Sequence, residues 1–400
     1  MSIEHRPLCA VLFAALLCTP VAIAAADDRF EFELHGFATQ GFIKTDSNSF
    51  FGDSENGSFD FREIGVNLAV EPTSRLRLSG QLLSRKAGAM NSGRPEVDFA
   101  VADYTLVSTQ SNNVRLLLGR IKHPLGLYNE TRDMAFTRPG VFVPQEVYFD
   151  KVRNLVLSSD GVAAKFGWFG DELDVNLHLA ASRMRVDDNV ESSYLGGLWQ
   201  GELEPEDVSF VGNLSVTTPN ERLRGGFSLV STNLSFEPGA LDPFGPGNID
   251  ILFALTSLQY VAGDWTFSAE YMREPISWNG FAGFILADHD ATSEGYYAQA
   301  EWHLSERFNL LFRYGELYAD RADRSGRRLE LASGGFIPGH VAYSHIATLG
   351  ARWDLSPQLM LQAEIQRHNG TFVLSNRENP QPLMTDPDWT LFALSLSYRF

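Results

Sequence analysis

The closing segment Asp388–Phe400 constrains the fold more than any other stretch of the chain. From Phe392 on, the even positions (Phe392, Leu394, Leu396, Tyr398, Phe400) are apolar or aromatic, and the odd ones (Ala393, Ser395, Ser397, Arg399) are small or polar. Successive side chains of a β-strand point to opposite faces, so this strand has one greasy face and one wet face. It belongs at a boundary between an apolar medium and water. The same alternation recurs upstream. In Trp265–Arg273, Trp265, Phe267, Ala269 and Tyr271 share one face, and Thr266, Ser268 and Glu270 the other. The segments Glu172–Met184, Tyr296–Leu304 and Arg307–Tyr318 read the same way. About sixteen candidate strands run from Phe30–Lys44 to Asp388–Phe400, among them Val208–Thr217 and Arg222–Ser231. Two are ambiguous. Val97–Ser108 switches the parity of its apolar positions, and Ile251–Val261 is apolar on both faces; a bulge or a subunit contact would explain either.

The connections fall into two classes. Short turns such as Phe169-Gly170-Asp171, Ala262-Gly263-Asp264 and Leu304-Ser305-Glu306 alternate with long loops rich in Gly, Asn, Asp and Pro. A soluble β-sandwich does not sort its connections this way. A transmembrane antiparallel β-barrel does, with tight periplasmic turns and longer external loops. Composition agrees. Hydrophobic residues make up 44% and aromatic residues 12%, which suits a barrel whose alternate residues face a wet lumen. The net charge of −18 argues against nucleic acid as a partner. A barrel of sixteen strands is too wide for side chains to fill and implies an aqueous bore.

The N-terminal residues 1–26 read as a secretory signal peptide. Arg6 precedes an apolar run, and Ala24-Ala25-Ala26 stands before Asp27 as a cleavage site. The run falls short of a membrane-spanning helix. Both cysteines, Cys9 and Cys18, lie within it, so the barrel portion, 27–400, is expected to use no disulfide, thiol or thiolate-bound metal.

The strand that stops at Phe400 resembles the last strand of Gram-negative outer-membrane β-barrels. That resemblance implies that Phe400 is part of the signal read by the barrel assembly machinery. Residues 122–157 form the longest loop, and they carry Leu125, Leu127, Tyr128, Met134, Phe136, Val141, Phe142, Val143, Tyr148 and Phe149, side chains that need burial. The inner wall is the surface on hand. A loop of this length without regular structure is usually functional. In position and length it is similar to the third loop of general bacterial porins, which folds inward and narrows the channel. Gly119-Arg120-Ile121-Lys122, Gly126-Leu127-Tyr128-Asn129-Glu130 and Thr137-Arg138-Pro139 also resemble a little-characterised group of proteobacterial porin-like proteins. The resemblance implies a passive channel in the outer membrane and a homotrimer. Unlike the acidic third loop of many porins, this one is mixed, so no charge preference carries over.

The residues expected at the constriction are Lys122, Glu130, Arg132, Asp133, Arg138 and Glu146. Those expected on the pore wall are Arg77, Arg115, Lys165, Arg222, Arg224, Glu270, Glu301, Arg313, Arg352, Glu364 and Arg399. Glu33, Glu63 and Asp174 share the inward parity. Opposed basic and acidic walls would set a transverse field across the bore; the alternative is that these charges pair and stiffen the lumen. The expected function is passive diffusion of small hydrophilic solutes and ions, filtered by size and charge. A channel specific for an organic acid, phosphate or sugar has the same architecture, and a barrel with a blocked lumen stands as a further alternative.

Nothing points to an enzyme, cofactor or metal site. The histidines are scattered, with no H-E-x-x-H motif and no Gly-x-Ser-x-Gly setting that would suit an outer-membrane hydrolase. His303 and Glu301 share the inward face as a solvated pair. The acidic residues Asp187, Asp188, Glu191, Glu202, Glu204, Glu206 and Asp207 fall between strands, where they would be solvated or share divalent cations with lipopolysaccharide phosphates.

Overall fold

The computed structural model describes residues 31–283 and 286–400. The expected signal peptide, 1–26, lies outside the described residues. The strands are β1 (Glu31–Thr45), β2 (Ser58–Thr73), β3 (Leu76–Ala87), β4 (Asn91–Ser108), β5 (Asn112–Lys122), β6 (Ser158–Phe169) and β7 (Asp174–Arg183). Next come β8 (Glu202–Pro205, resumed at Ser209–Thr217), β9 (Leu223–Glu237), β10 (Gly247–Ala262), β11 (Trp265–Asn279) and β12 (His289–Ser305). The last four are β13 (Phe308–Tyr318), β14 (Tyr343–Asp354), β15 (Leu359–Gly370) and β16 (Asp388–Arg399).

The sheet contains 17 strand segments, but both parts of β8 pair with β9 end to end, so the staves number sixteen. Every neighbour is antiparallel. β1 pairs with both β2 and β16, which closes the barrel and leaves no sheet edge. Phe400 completes the seam: its N–H donates to the Gly36 carbonyl at 3.0 Å, and Gly36 N–H donates back at 3.1 Å.

One rim carries tight turns such as 263–264 and 306–307. The other carries long connections: 46–57, 123–157, 184–201, 238–246, 280–288, 319–342 and 371–387. The β3–β4 connection, 88–90, is the short exception on that rim. The alternation reads through on the expected faces. Phe267, Tyr271, Phe312, Tyr314 and Leu179 are exposed on the outside, whereas Ser268, Glu270, Gln299, Arg313 and His178 are buried on the inside.

The two ambiguous strands resolve differently. In β4 the pairing with β3 slips between Gln81 and Leu82, and Asp98 has no partner in the register there. The bulge flips the parity, so Val97 points out and Asp98 points in. In β10 the inward residues Ile249, Ile251, Phe253 and Leu255 are buried in an apolar core inside the barrel, not at a subunit contact.

Several strands run further toward the loop rim than the alternation suggested. β8 begins at Glu202, β9 reaches Glu237 and β11 reaches Asn279. In these extensions the alternation inverts. Leu203, Leu234, Phe236, Ile276 and Trp278 face inward and are buried, while Glu202, Glu204 and Asn279 face out and are exposed. Beyond the apolar band the outside is polar, and the inside is filled by packed loops. The acidic residues placed between strands therefore include wall positions: Glu204 meets Arg183 at 2.9 Å. Asp187 caps the helix α2 (Asp188–Leu195), accepting from the N–H groups of Asn189 and Val190.

Candidate constriction in the barrel lumen

The third connection on the loop rim, 123–157, leaves β5, enters the lumen and returns to β6. Short helical turns at Asn129–Thr131, Ala135–Thr137 and Asp150–Val152 give it local order, and a last helix, α1 (Arg153–Leu157), runs into β6. Its apolar residues divide among three clusters, the smallest being Ala135 and Phe136 against Met360 of β15. Val141 and Phe142 pack with Phe50 and Phe51 of the first loop, Phe61 of β2, and Trp389 and Leu391 of β16. Leu125, Val143, Val147, Tyr148 and Phe149 pack with Phe253 and Leu255 of β10 and with Val190, Tyr194 and Leu195 of α2. Full burial of one such side chain is worth roughly 1.5–3 kcal/mol, which is enough to hold a loop this rich in them.

Hydrogen bonds tie the loop to walls all around the bore. Gly126 N–H donates to Ser228 Oγ on β9 at 3.1 Å. On β11, Glu270 accepts from the Tyr148 hydroxyl at 2.6 Å and from Leu127 N–H at 3.0 Å. Tyr297 and Ser257 hydroxyls also donate to Glu270, each at 2.6 Å. Gln299 on β12 donates to the Tyr128 hydroxyl at 2.7 Å. Arg352 on β14 donates to the Phe136 carbonyl at 2.9 Å. Gln362 on β15 donates to the carbonyls of Arg138 and Gly140, at 3.1 and 3.0 Å. Glu364 on β15 accepts from Phe142 N–H at 3.3 Å and meets Arg313 of β13 at 3.2 Å.

The expected constriction residues are mostly locked. Lys122 reaches Asp98 at 2.6 Å and Asp133 at 2.5 Å, and Arg153 also pairs with Asp133. Arg132 meets Asp150 at 3.2 Å and donates to the Tyr148 carbonyl at 2.6 Å. Arg138 meets Glu63 at 2.9 Å. Arg85 of β3 bridges Glu63 and Asp150 at 3.2 and 3.1 Å. All these charges are buried or nearly so, and acid and base alternate through two groups, Asp98–Lys122–Asp133–Arg153 and Arg138–Glu63–Arg85–Asp150–Arg132. Such networks fix register more than they add stability. Glu130 differs: it is exposed, 3.5 Å from Lys165 of β6.

Glu146 is fully buried, and neither of its carboxylate oxygens has a hydrogen-bond partner among the described residues. It lies against two inward-facing glycines. A Cβ on Gly315 would come within 2.5 Å of Glu146 Oε1, and one on Gly295 would collide with its carbonyl oxygen. Burial pushes the Glu146 carboxyl up to about 7, opposed by the nearby Arg313 guanidinium.

The remaining wall residues sit toward the turn rim. Arg77 meets Glu33 and Glu71 at 2.6 Å each, and Arg115 meets Asp103 at 2.7 Å. Arg352 also meets Asp354 at 3.1 Å. Arg224 is half-buried on β9, Glu301 accepts from Gln299 at 3.1 Å, and Asp174 opens β7. Arg222 lies in the turn before β9 and is exposed. Arg399 stacks on the Phe136 ring of the loop, 4.3 Å from its centroid, and donates to the Pro357 carbonyl at 2.9 Å. Arg77, Arg115, Arg313 and Arg352 pair with carboxylates nearby, while Arg222, Arg224, Glu301 and Arg399 stand outside the ion pairs among the described residues.

The sequence reading missed one polar cluster. His123 at the loop's base contacts Ser159 Oγ at 2.6 Å through Nε2 and His178 at 3.5 Å through Nδ1; Ser159 in turn donates to Ser182 at 2.6 Å. His123 and Ser159 are fully buried, and burial with the neighbouring His178 draws the His123 imidazole down to about 3. A neutral, enclosed Ser–His pair anchors the loop's first residue and is closed to a substrate. His303, by contrast, contacts Thr266 at 3.0 Å.

The chain resembles the outer membrane channel DcaP of Acinetobacter baumannii at TM-score 0.57 and 10% identity, covering 93% of this chain and 97% of that one. An anion-selective porin from Comamonas acidovorans matches at TM-score 0.54 and 13% identity, over 93% and 100% of the two chains. Salmonella typhi OmpF in complex with daunomycin matches at TM-score 0.54 and 12% identity, over 93% and 98%. The fold is that of outer-membrane porins. No family model matches the sequence, and no curated protein does.

Proposed function

We propose that this protein is an outer-membrane channel for small hydrophilic solutes and ions, with the loop 122–157 as its constriction. One observation carries the reading: a loop inside a sixteen-stave barrel is bonded to the inner wall from β2 round to β15. Passage then depends on what the loop leaves open, so size and local charge set the filter. The exposed Glu130 and the rim residues Arg77 and Glu33 would meet solute on the turn side.

A specific observation favours the substrate-selective version of this channel over the general one. Polar wall residues on strands around the whole circumference are buried beneath the loop: Thr39, Glu63, His178, Asn213, Ser228, Glu270, Gln299, Arg313 and Gln362. A bore so closely lined supports a narrow route, with selectivity for an organic acid, a phosphate or a sugar rather than broad diffusion.

The cellular setting follows from the same reading. Residues 1–26 direct export, Phe400 takes part in recognition by the barrel assembly machinery, and the finished barrel sits among lipid and lipopolysaccharide as a homotrimer. The buried Ser159–His123 pair gives a hydrolase no support. Reconstitution in a planar bilayer tests the reading. Discrete conductance steps are expected, with a reversal potential in a salt gradient that reports ion preference. Saturation by one solute class would favour the selective version, and a barrel that never conducts would overturn the proposal.

A further inference from the structure

A cavity of about 430 Å³ opens on the loop side of the constriction, lined in part by the connections 319–342 and 371–387. That volume lies within the range of small-molecule sites. Its floor holds two groups of opposite charge from different elements. Lys151, from the constriction loop, donates to the Phe372 carbonyl at 2.7 Å, with Nζ 3.6 Å from the centroid of the Phe372 ring. Glu274, on the inner face of β11, is buried and accepts from the Tyr194 hydroxyl of α2 at 3.0 Å. Both residues line the cavity, yet no ion pair within 4.0 Å joins them. Burial draws the Lys151 ammonium down to about 7, and Glu274 is the charge that partly supports it.

A buried carboxylate and a half-buried ammonium held apart across a cavity are costly unless something satisfies them. A ligand carrying both complementary charges meets both. A simple anion would suit Lys151 and the exposed Arg328 but face Glu274 and the carboxylates of Asp290, Asp320 and Asp323; a simple cation would suit those carboxylates but face Lys151 and Arg328. Phe149, Trp278, Ile276 and Leu329 make up the apolar part of the wall, and Ser193, Ser293, His289, Asp323 and Arg328 add polar groups to it. We propose that this cavity binds a small zwitterion with an apolar group, of the α-amino acid type, its ammonium at Glu274 and its carboxylate at Lys151. The apolar group would lie against Phe149 and Trp278, where aromatic walls give area at little cost in conformational freedom.

The site does not depend on whether the barrel conducts. The test is equilibrium titration of the full barrel in detergent with L-phenylalanine, followed by calorimetry, with phenylacetate, phenethylamine and glucose as comparisons. Saturable binding of L-phenylalanine is expected, at least about tenfold tighter than either singly charged analogue. Lys151→Met should reduce it to the level of phenethylamine and Glu274→Gln to that of phenylacetate, while Lys151→Arg retains most of it. Circular dichroism confirms that each variant is folded. The proposal is overturned if L-phenylalanine does not bind, if the singly charged analogues or glucose bind as well as it does, or if folded Lys151→Met and Glu274→Gln proteins bind it unchanged. A silent bilayer would sink the channel reading and leave this result standing; a conducting barrel without L-phenylalanine binding would do the reverse.

Discussion

The Arg138 guanidinium of the constriction loop sits 2.9 Å from Glu63 on β2, and both side chains are buried. The contact ties the middle of the loop to the wall beside the barrel seam. Breaking one partner of a buried pair is far more damaging than never having had it, because the other charge stays behind. Arg138→Ala is expected to destabilise the seated loop by about 3 kcal/mol, the low end for such a loss, since Arg85 still reaches Glu63 at 3.2 Å. Trypsin should then cut within 122–157 in the variant and spare the parent. Equal resistance would show that the pair does not hold the loop.

The glycines on β12 and β13 give a steric test. Gly295 and Gly315 form a lane that Glu146 occupies, and a side chain on either meets the loop itself. Gly295→Val should unseat the segment around Glu146 and raise single-channel conductance. Gly225→Ala on β9 is the control, because its nearest neighbour would be the Ser257 carbonyl oxygen at 3.9 Å. If both variants behave like the parent, the lane has no role in seating the loop.

The same carboxyl predicts a pH dependence. Glu146 faces Arg313 on β13 and Glu364 on β15, and burial raises its carboxyl from 4.5 to about 7. A group raised on folding contributes stability that is complete below its unfolded value and is lost as pH rises through the folded one. The seated loop should therefore be tighter at pH 5 than at pH 8, by on the order of 3 kcal/mol. Hydrogen exchange of amides in 140–150, corrected for its intrinsic pH dependence, reads this directly. Glu146→Gln should flatten the response, and a variant that keeps the parent's slope would assign the effect elsewhere.

What the sequence made legible follows the solvent on each side of the sheet. Where a stave crosses from lipid to lumen, as at Trp265–Tyr271, alternation shows both faces at once. Past the apolar band the rule reverses. The inward Leu203, Phe236 and Trp278 pack on loops while outward neighbours meet water, so the pattern no longer resembles a membrane strand and β8, β9 and β11 look shorter than they are. The apolar content of 122–157 announced a buried loop. Its partners did not show, because Glu63, Glu270 and Gln362 come from strands far apart in the chain and have the same inward parity as any lumen residue. Ile251 and Phe253 looked like a possible subunit contact for the same reason: one-dimensional periodicity cannot say what stands inside the barrel.

The last test concerns the polar hub on β11. Glu270 accepts hydroxyl donors from Tyr148, Tyr297 and Ser257, and only Tyr148 belongs to the loop. The Tyr148 oxygen also accepts from Leu127 N–H at 2.7 Å and from Tyr128 N–H at 3.2 Å, so it links the two limbs of the loop to each other as well as to the wall. Tyr148→Phe keeps the ring in its core and removes only these bonds. Hydrogen bonds to a charged group are worth about 1.5–3 kcal/mol each, so the loop should loosen by roughly 2 kcal/mol. Tyr297→Phe removes a donor to the same carboxylate without touching the loop and should leave loop protection close to that of the parent. Hydrogen exchange at Leu127 and Tyr128 separates the two. If Tyr297→Phe exposes those amides as much as Tyr148→Phe does, the carboxylate rather than the tyrosine link seats the loop, and Glu270→Gln becomes the variant with the larger effect.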